Sequence, residues 1–562
     1  MPNHLYYGDN LEILREHIKD ESVDLIYLDP PFNSQATYNV LFHAPSGQQS
    51  EAQIEAFEDT WHWHDATERA FDEVMNSGNT DAAEMLRAMR AFLKENDMMA
   101  YLAMMAVRLL ELHRALKETG TLYLHCDPTA SHYLKILLDA VFGKQCFRNE
   151  ISWKRSSAHS DTKQGMKRCG RIRDVILFYT KSRDYTWNSL YTRYSDDYAQ
   201  AEYRHVAADN RFYKETDLTA AKPGGDTSYE WRVKRPAHSN SRWQPDLTDE
   251  YLKPKPDWEY KGVQPYEGRF WAYSKTNLVA FAKSGHLIHR ETGMPRLMQF
   301  ADEMPGVSLQ DNWDDIQIAS GGESLGYPTQ KPLALLERII SASSNEGDLV
   351  LDSFCGCGTT IHAAEKLRRQ WVGIDITHLA ISLIEKRLKD AFPGIAFTVH
   401  GTPKDLEGAR ALADQDKYQF QWWAVSLVNA VPYGGKKKGA DSGIDGFIYF
   451  KPDAKTTEKA IVSVKGGGNV NVAMVRDLAH VVEREKAKIG VFITLADPTA
   501  PMNTEAIKAG FYESPHHGKF PKIQILTIEE LFAGKRPKIP FIDPSAFKAA
   551  PKEDMTKQTK LL

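Results

Sequence analysis

The segment Val23 to Leu28, ValAspLeuIleTyrLeu, runs straight into Asp29, Pro30, Pro31 and Phe32. Apart from Asp24 it is apolar throughout, and an apolar run of that length reads as a strand buried on both faces, the habit of parallel sheets. Two successive prolines remove backbone donors and fix φ, so the strand stops there and Asp29 sits at the mouth of a stiff turn. A parallel sheet must be covered by helices on both faces, which implies an α/β chain with a doubly wound sheet. The neighbouring pattern agrees. His4 to Asp9 has the form of a strand end, and Asn10 to Lys19 has helical spacing. A long helix is predicted over Tyr101 to Lys117, feeding a strand at Thr121 to His125. Two further strands, Glu150 to Lys154 and Asp174 to Thr180, flank the basic stretch Lys163 to Arg173.

At 562 residues the chain has room for about two to four domains. Periodicity is lost from Ser182 to Ser320, where aromatic and basic residues such as Trp187, Tyr191, Tyr203, Arg211, Trp231, Arg232 and Trp243 crowd together. It returns with a helix over Pro332 to Ser343, a strand Leu349 to Leu351, a glycine-bearing loop, a helix Thr360 to Leu367 and a strand Trp371 to Ile374. A connector follows Val399, and a second α/β pattern runs from Tyr418 to Ala533. The expected organisation is residues 1–181 and 321–400 as one sheet, 182–320 as an insertion, 418–533 as a smaller α/β domain and 534–562 as an extended tail.

The apolar stretch Met98 to Leu112 is interrupted by Arg108 and falls short of the roughly 20 residues of a membrane span. The first ten residues, MPNHLYYGDN, lack a basic segment followed by an apolar one, so a cytoplasmic protein without a membrane partner is expected. Lys and Arg number 70 against 75 Asp and Glu, so any nucleic-acid surface has to gather positive charge locally. The five cysteines, in no CxxC pair, support neither a disulfide framework nor zinc. His62 and His64 lie in an aromatic stretch that suits packing better than metal binding.

Asp352 to Thr360 reads AspSerPheCysGlyCysGlyThrThr, where a strand hands over to a helix. Glycines let the backbone approach a ligand, and a helix start offers free N–H groups. Asp375 ends the next strand, where a carboxylate can hold ribose hydroxyls. No GxxxxGK[ST] is present, which disfavours ATP hydrolysis. A tight turn with a helix cap is the competing reading.

DPPF at Asp29 to Phe32, the DSFCGCGTT loop and TyrProThrGlnLysPro at Tyr327 to Pro332 together resemble the amino-methyltransferases of DNA bases, in the order with the chemical motif first. The resemblance covers roughly residues 3 to 400 and implies S-adenosylmethionine as cofactor and double-stranded DNA as substrate. It implies that Asp29, Pro30, Pro31 and Phe32 carry the chemistry. An exocyclic amino group is a poor nucleophile, and acceptors such as the Asp29 carboxylate and Pro30 carbonyl localise its lone pair, while Phe32 stacks on an extruded base. By the same resemblance Asp352, Phe354, Gly356, Gly358 and Thr359 surround the methionine part of the cofactor, Asp375 holds its ribose, Asp9 its adenine edge and Lys331 its carboxylate. For Asp9 a helix N-cap is the alternative. DPPF favours adenine N6 over cytosine N4, and RNA methylation or a DNA-binding protein without catalysis are the remaining alternatives.

In the C-terminal part, Gly439 to Gly446 (GADSGIDG) and Ile461 to Gly467 (IVSVKGG) resemble the core of Mrr-like restriction endonucleases of the PD-(D/E)xK type. That resemblance makes Asp445 a ligand for Mg2+ and Lys465 the residue that orients water. Ser463 stands where that core has Glu or Gln, and Gln421 where a helix often presents Glu, which weakens metal binding and leaves cleavage or a DNA-binding remnant both open. Restriction–modification or phage-related defence is the implied setting, with a homodimer compatible.

Overall fold

The computed structural model describes residues 3–31, 37–43, 49–58, 63–156, 167, 169–192, 194, 196–248, 255–325, 327, 329–433, 443–453, 456–540 and 550–553. Phe32, His62 and Arg193 lie outside these residues, as does the run Lys436 to Lys438. The chain divides into two compact units, one of Met1–Asn188 with Gln310–Thr559 and one centred on Ser189–Leu309.

The first unit is built on a sheet of nine strands: β1 (Asn3–Tyr7), β2 (Val23–Leu28), β3 (Leu116–Cys126), β4 (Phe147–Lys154), β5 (Arg173–Thr180), β6 (Asn312–Trp313), β7 (Leu349–Asp352), β8 (Gln370–Asp375) and β9 (Phe397–His400). Their spatial order is β6-β4-β5-β3-β2-β7-β8-β1-β9. From β3 to β9 every pairing is parallel, while β5 runs antiparallel to both β3 and β4. Strand β2 is central, and all its residues but Asp24 are buried, as its apolar run requires. Asp24 is held by Lys117 Nζ at 2.7 Å and by the Leu349 amide at 2.9 Å.

Helix α1 (Asn10–His17) starts on the Asp9 side chain, which accepts the Leu11 N–H. The helix Asp97–Ala115, here α2, starts on Asn96 and buries most of its length against the sheet. A hairpin, Thr37–His43 with Gln49–Glu58, and helices Asp65–Met75 and Thr80–Leu93 fill the polar stretch between β2 and α2. His64 caps the first of these helices through Nδ1.

The expected connector after Val399 carries a helix, Leu406–Gln415. The C-terminal part then follows within the same unit, opening with α3 (Lys417–Ser426). Its sheet has five strands: β10 (Val431–Pro432), β11 (Gly446–Phe450), β12 (Glu458–Lys465), β13 (Ile489–Thr494) and β14 (Ile523–Thr527), side by side in that order. The first three pair antiparallel and the last three parallel. The described tail residues Ala550–Glu553 are tied down, with the Glu553 carboxylate 3.0 Å from His362 Nε2.

The second unit departs from the irregular region expected there. It folds into small antiparallel sheets, one pairing Phe212–Asp217 with Pro295–Phe300 and another pairing Trp231–Pro236 with Trp258–Val263. Many of its strands are only two residues long, too short for a period to show in sequence. Several of its aromatic residues form its core. Trp231 donates to His289 Nε2 at 3.0 Å, Trp243 to the Glu291 carbonyl at 2.9 Å, and Tyr203 is buried. Arg211 pairs with Asp209 and Glu303, and Arg232 with Asp246.

Candidate active site

Parallel pairing brings four carboxylates to one edge of the large sheet. The register sets Tyr27 beside Asp352, Asp352 beside Gly373 and Tyr7 beside Asp375. Asp9, Asp29, Asp352 and Asp375 therefore all emerge at the carboxyl ends of parallel strands, where an open α/β sheet leaves its crevice. A cavity of about 330 Å³ lies there, and all four residues line it.

The glycine loop forms part of that lining. Asp352 is buried and its Oδ1 accepts the Phe354 N–H at 3.0 Å. Burial pushes its carboxyl up to about 7, against the hydrogen bonds from Thr360 and Phe354. The loop closes onto Asp375, whose Oδ2 accepts the Gly356 N–H and whose Oδ1 accepts both the N–H and hydroxyl of Thr377, each at 2.9 Å. Burial raises the Asp375 carboxyl to about 6. Phe354, Gly356 and Thr359 also line the cavity. Gly358 is absent from the lining. It adopts φ +76°, and a Cβ there would meet Ile384 Cγ1 at 2.7 Å, so this glycine lets the helix Thr359–Lys366 pack on the helix His378–Ala391.

The turn after β2 contributes Asp29, Pro30 and Pro31. Asp29 Oδ2 accepts from the Lys331 ammonium, while Oδ1 is buried with no hydrogen-bond partner among the described residues. Lys331 lines the cavity too, but its ammonium is turned to Asp29 and the Thr329 carbonyl rather than standing clear for a ligand carboxylate. Asp9 is indeed an N-cap, with Oδ1 2.8 Å from the Leu11 amide, and it also lines the cavity.

Sequence reasoning missed Arg108. Its buried guanidinium reaches Asp9 Oδ2 at 3.0 Å, Asn10 Oδ1 at 2.6 Å and the Met104 carbonyl at 3.0 Å. Asn10 in turn donates to the Ser353 carbonyl at 2.8 Å, so one cation on α2 ties the start of α1 to the glycine loop. The signal was a lone arginine inside the apolar stretch Met98 to Leu112, since a buried charge needs a partner.

In the C-terminal sheet Asp445 precedes β11, and its Oδ2 accepts the Val464 N–H at 2.6 Å. Lys465 ends β12. Pairing of Gly446 with Val462 sets Asp445 next to Ser463, so the neighbouring strand offers a hydroxyl where the expected metal site needs a second carboxylate. Among the described residues there is no group of three or more His, Cys, Asp or Glu able to hold a metal ion. Among the described residues, therefore, Asp445 has no second carboxylate beside it to complete the Mg2+ site expected there, and Asp441 lies outside those residues.

Residues 23–386 match the model of a DNA methylase family, and residues 412–531 that of a restriction endonuclease family. A type II methyltransferase of Enterobacter cloacae, M.EcaI, is 27% identical over 390 residues, covering 69% of this chain and 69% of that protein. The Mod subunit of the type III restriction-modification enzyme StyLTI of Salmonella typhimurium is 25% identical over 385 residues, covering 65% of this chain and 50% of its own length. Among solved structures, the cytosine-N4-specific PvuII DNA methyltransferase superposes with a TM-score of 0.32 at 11% identity, over 68% of this chain and 85% of that one. A superposition that loose carries no argument about the site.

Replacing Arg108 by Met keeps the apolar stem but strips Asp9 and Asn10 of their shared partner. Asp9 is partly exposed and can rehydrate, which limits the loss. Urea denaturation of Arg108→Met is expected to show a loss of about 2 kcal/mol.

Proposed function

The chain belongs to the DNA methylase family, with a restriction-endonuclease-like domain following the methyltransferase, and from that premise we propose that it methylates adenine N6 in DNA using S-adenosylmethionine. The observation that carries this reading is the buried Oδ1 of Asp29, unpartnered among the described residues, in the wall of the cavity that the glycine loop also lines. A buried acceptor without a donor is costly, and an amino N–H of an extruded base supplies the missing one.

The cavity suits the cofactor. Four carboxylates, Asp9, Asp29, Asp352 and Asp375, line it against the two cations of Arg108 and Lys331, which favours a cation. S-adenosylmethionine supplies an electrophilic methyl group on a sulfonium. The protein does the rest by position. Asp29 Oδ1 and the Pro30 carbonyl accept the amino hydrogens and turn the nitrogen lone pair toward the methyl group. Pro31 keeps that turn rigid and offers no competing donor. Asp352 and Asp375 face the positive charge, and Arg108 holds Asp9 in place for the adenine edge. The aspartate that opens DPPF supports adenine over cytosine as target, and Phe32 stacks on the base.

The C-terminal domain, with Ser463 beside Asp445 and Asp445 spent partly on the Val464 amide, supports DNA contact without cutting. The relatives named as restriction-modification components support that setting for the whole chain.

Methyl transfer to unmethylated DNA from radiolabelled cofactor tests the assignment. Asp29→Asn is expected to lower the rate at least 10²-fold while the cofactor dissociation constant stays within about threefold, and undiminished transfer would remove Asp29 from the chemistry.

A second expectation concerns pH. Burial raises the folded-state carboxyls of Asp352 to about 7 and Asp375 to about 6. The empty protein therefore binds more protons than the unfolded chain between roughly pH 4 and 7, and these two groups cost it stability as pH rises through that interval. A cationic ligand prefers them ionised. Cofactor affinity, measured by calorimetry, is expected to weaken as pH falls from 8 to 5.5 and to level off above the Asp352 value; Asp352→Asn flattens that dependence.

For the C-terminal domain, supercoiled plasmid incubated with the full chain, cofactor and Mg2+ is expected to stay uncut on gels. Linear product lost in Asp445→Ala would show that this carboxylate serves a nuclease after all.

A further inference from the structure

A tyrosine, a histidine and an aspartate stand in line behind the DPP turn. Tyr27 lines the cavity, and its hydroxyl lies 2.9 Å from His125 Nδ1. His125, on β3, is fully buried, and its Nε2 lies 3.3 Å from Asp174 Oδ2 at the start of β5. The other Asp174 oxygen is 3.3 Å from Arg155 Nε, on a side chain that is 42% exposed. The chain of polar groups thus begins at the cavity and ends at a residue in contact with solvent.

The direction of each hydrogen bond follows from the charges. Burial alone would raise the Asp174 carboxyl, but the hydrogen bond from His125 and the positive charges of Arg155 and Lys331 outweigh it and hold that carboxyl below its ordinary value. Ionised, Asp174 can only accept, so His125 turns its Nε2–H toward it and leaves Nδ1 to accept from Tyr27. Burial, and then the negative charge of Asp29, push the Tyr27 hydroxyl well above its ordinary value, so it keeps its proton and donates. On the same face of the sheet, Leu25 and Ile176 are apolar and fully buried. Such a core has no structural need of a polar line through it, and a buried polar network is costly unless each member is satisfied.

We propose that Tyr27, backed by His125 and Asp174, is the base that takes the proton released by the substrate amino group. This inference rests on the amino-methyltransferase reading above. When the amino nitrogen gives its lone pair to the methyl carbon, the carbon–sulfur electrons stay on sulfur and the nitrogen carries a positive charge with one hydrogen in excess. Asp29 Oδ1 keeps one of the two hydrogens, and the other, released from the Pro30 carbonyl, passes to the Tyr27 oxygen as the hydroxyl proton of Tyr27 passes to His125 Nδ1. Tyr27 ends as it began, and the charge comes to rest on an imidazolium beside the Asp174 carboxylate, the pairing that makes serine–histidine–aspartate triads effective. A hydroxyl suits this place because it accepts one proton and yields another with no change in its own charge.

The test uses the full chain, tritiated S-adenosylmethionine and unmethylated DNA amplified from genomic template, in single-turnover mode. Tyr27→Phe keeps the ring and removes the relay, and Asp174→Asn, away from the cavity, removes the charge that stabilises the imidazolium. Both are expected to slow transfer on the order of 10²-fold, to leave the cofactor dissociation constant unchanged, and to alter the solvent deuterium isotope effect seen with the unsubstituted protein. A wild-type rate in Tyr27→Phe at saturating cofactor, or a loss confined to cofactor affinity, would overturn the relay and leave the methyltransferase reading standing. No transfer by the unsubstituted protein would overturn that reading, and the relay with it.

Discussion

Like charges gathered at one edge of a sheet govern the architecture of the site. Parallel pairing of β1, β2, β7 and β8 forces Asp9, Asp29, Asp352 and Asp375 to emerge together, and carboxylates packed so closely must each be answered. The protein answers each differently. Asp9 has the buried Arg108 guanidinium, Asp29 has the Lys331 ammonium on one oxygen, and Asp375 has backbone N–H groups from both sides of the loop. Asp352 has the Phe354 amide and the Thr360 hydroxyl, and burial still leaves it readily protonated. What remains is a cavity with unspent negative potential and one orphaned oxygen, which is a suitable receptor for a cation beside a hydrogen-bond donor.

The same electrostatic economy explains Arg108. A guanidinium inside α2 would be expensive alone, but it joins Asp9, Asn10 and, through Asn10, the Ser353 carbonyl. The first helix of the chain and the late glycine loop, more than 340 positions apart in sequence, are thereby fixed to each other.

The restriction-endonuclease-like part is packed onto the cofactor half rather than tethered to it. Tyr327, Cys357 and Leu379 share an apolar cluster with Trp422, Val431, Phe447 and Val475. Gln419 on α3 accepts the His378 amide at 3.1 Å, and His378 stacks on Tyr7 with ring centres 3.6 Å apart. Tyr327 and Cys357 also line the cavity, so two residues of its wall touch the endonuclease-like part.

Composition and pattern by themselves determined the α/β class, the buried strand before Asp29, the glycine loop and the presence of a second α/β pattern. These were legible because they depend on neighbours in the chain: an apolar run, a proline stop, a glycine where φ turns positive. The insertion was illegible as structure because two-residue strands carry no period, and nothing local says which of its aromatics are core, as Trp231 and Trp243 are. Gly358 likewise read as a ligand contact, while its close approach to Ile384 makes it a packing residue. Only the tertiary structure decided that Lys331 turns to Asp29, that Arg108 is the counter-ion of Asp9, and that Tyr27, His125 and Asp174 form one line. The physical reason is that ionic and hydrogen-bonded partnership depends on distance in space, and strand order, which brings residue 29 beside 352 and 125 beside 174, is settled by how the whole sheet packs rather than by any local run of residues.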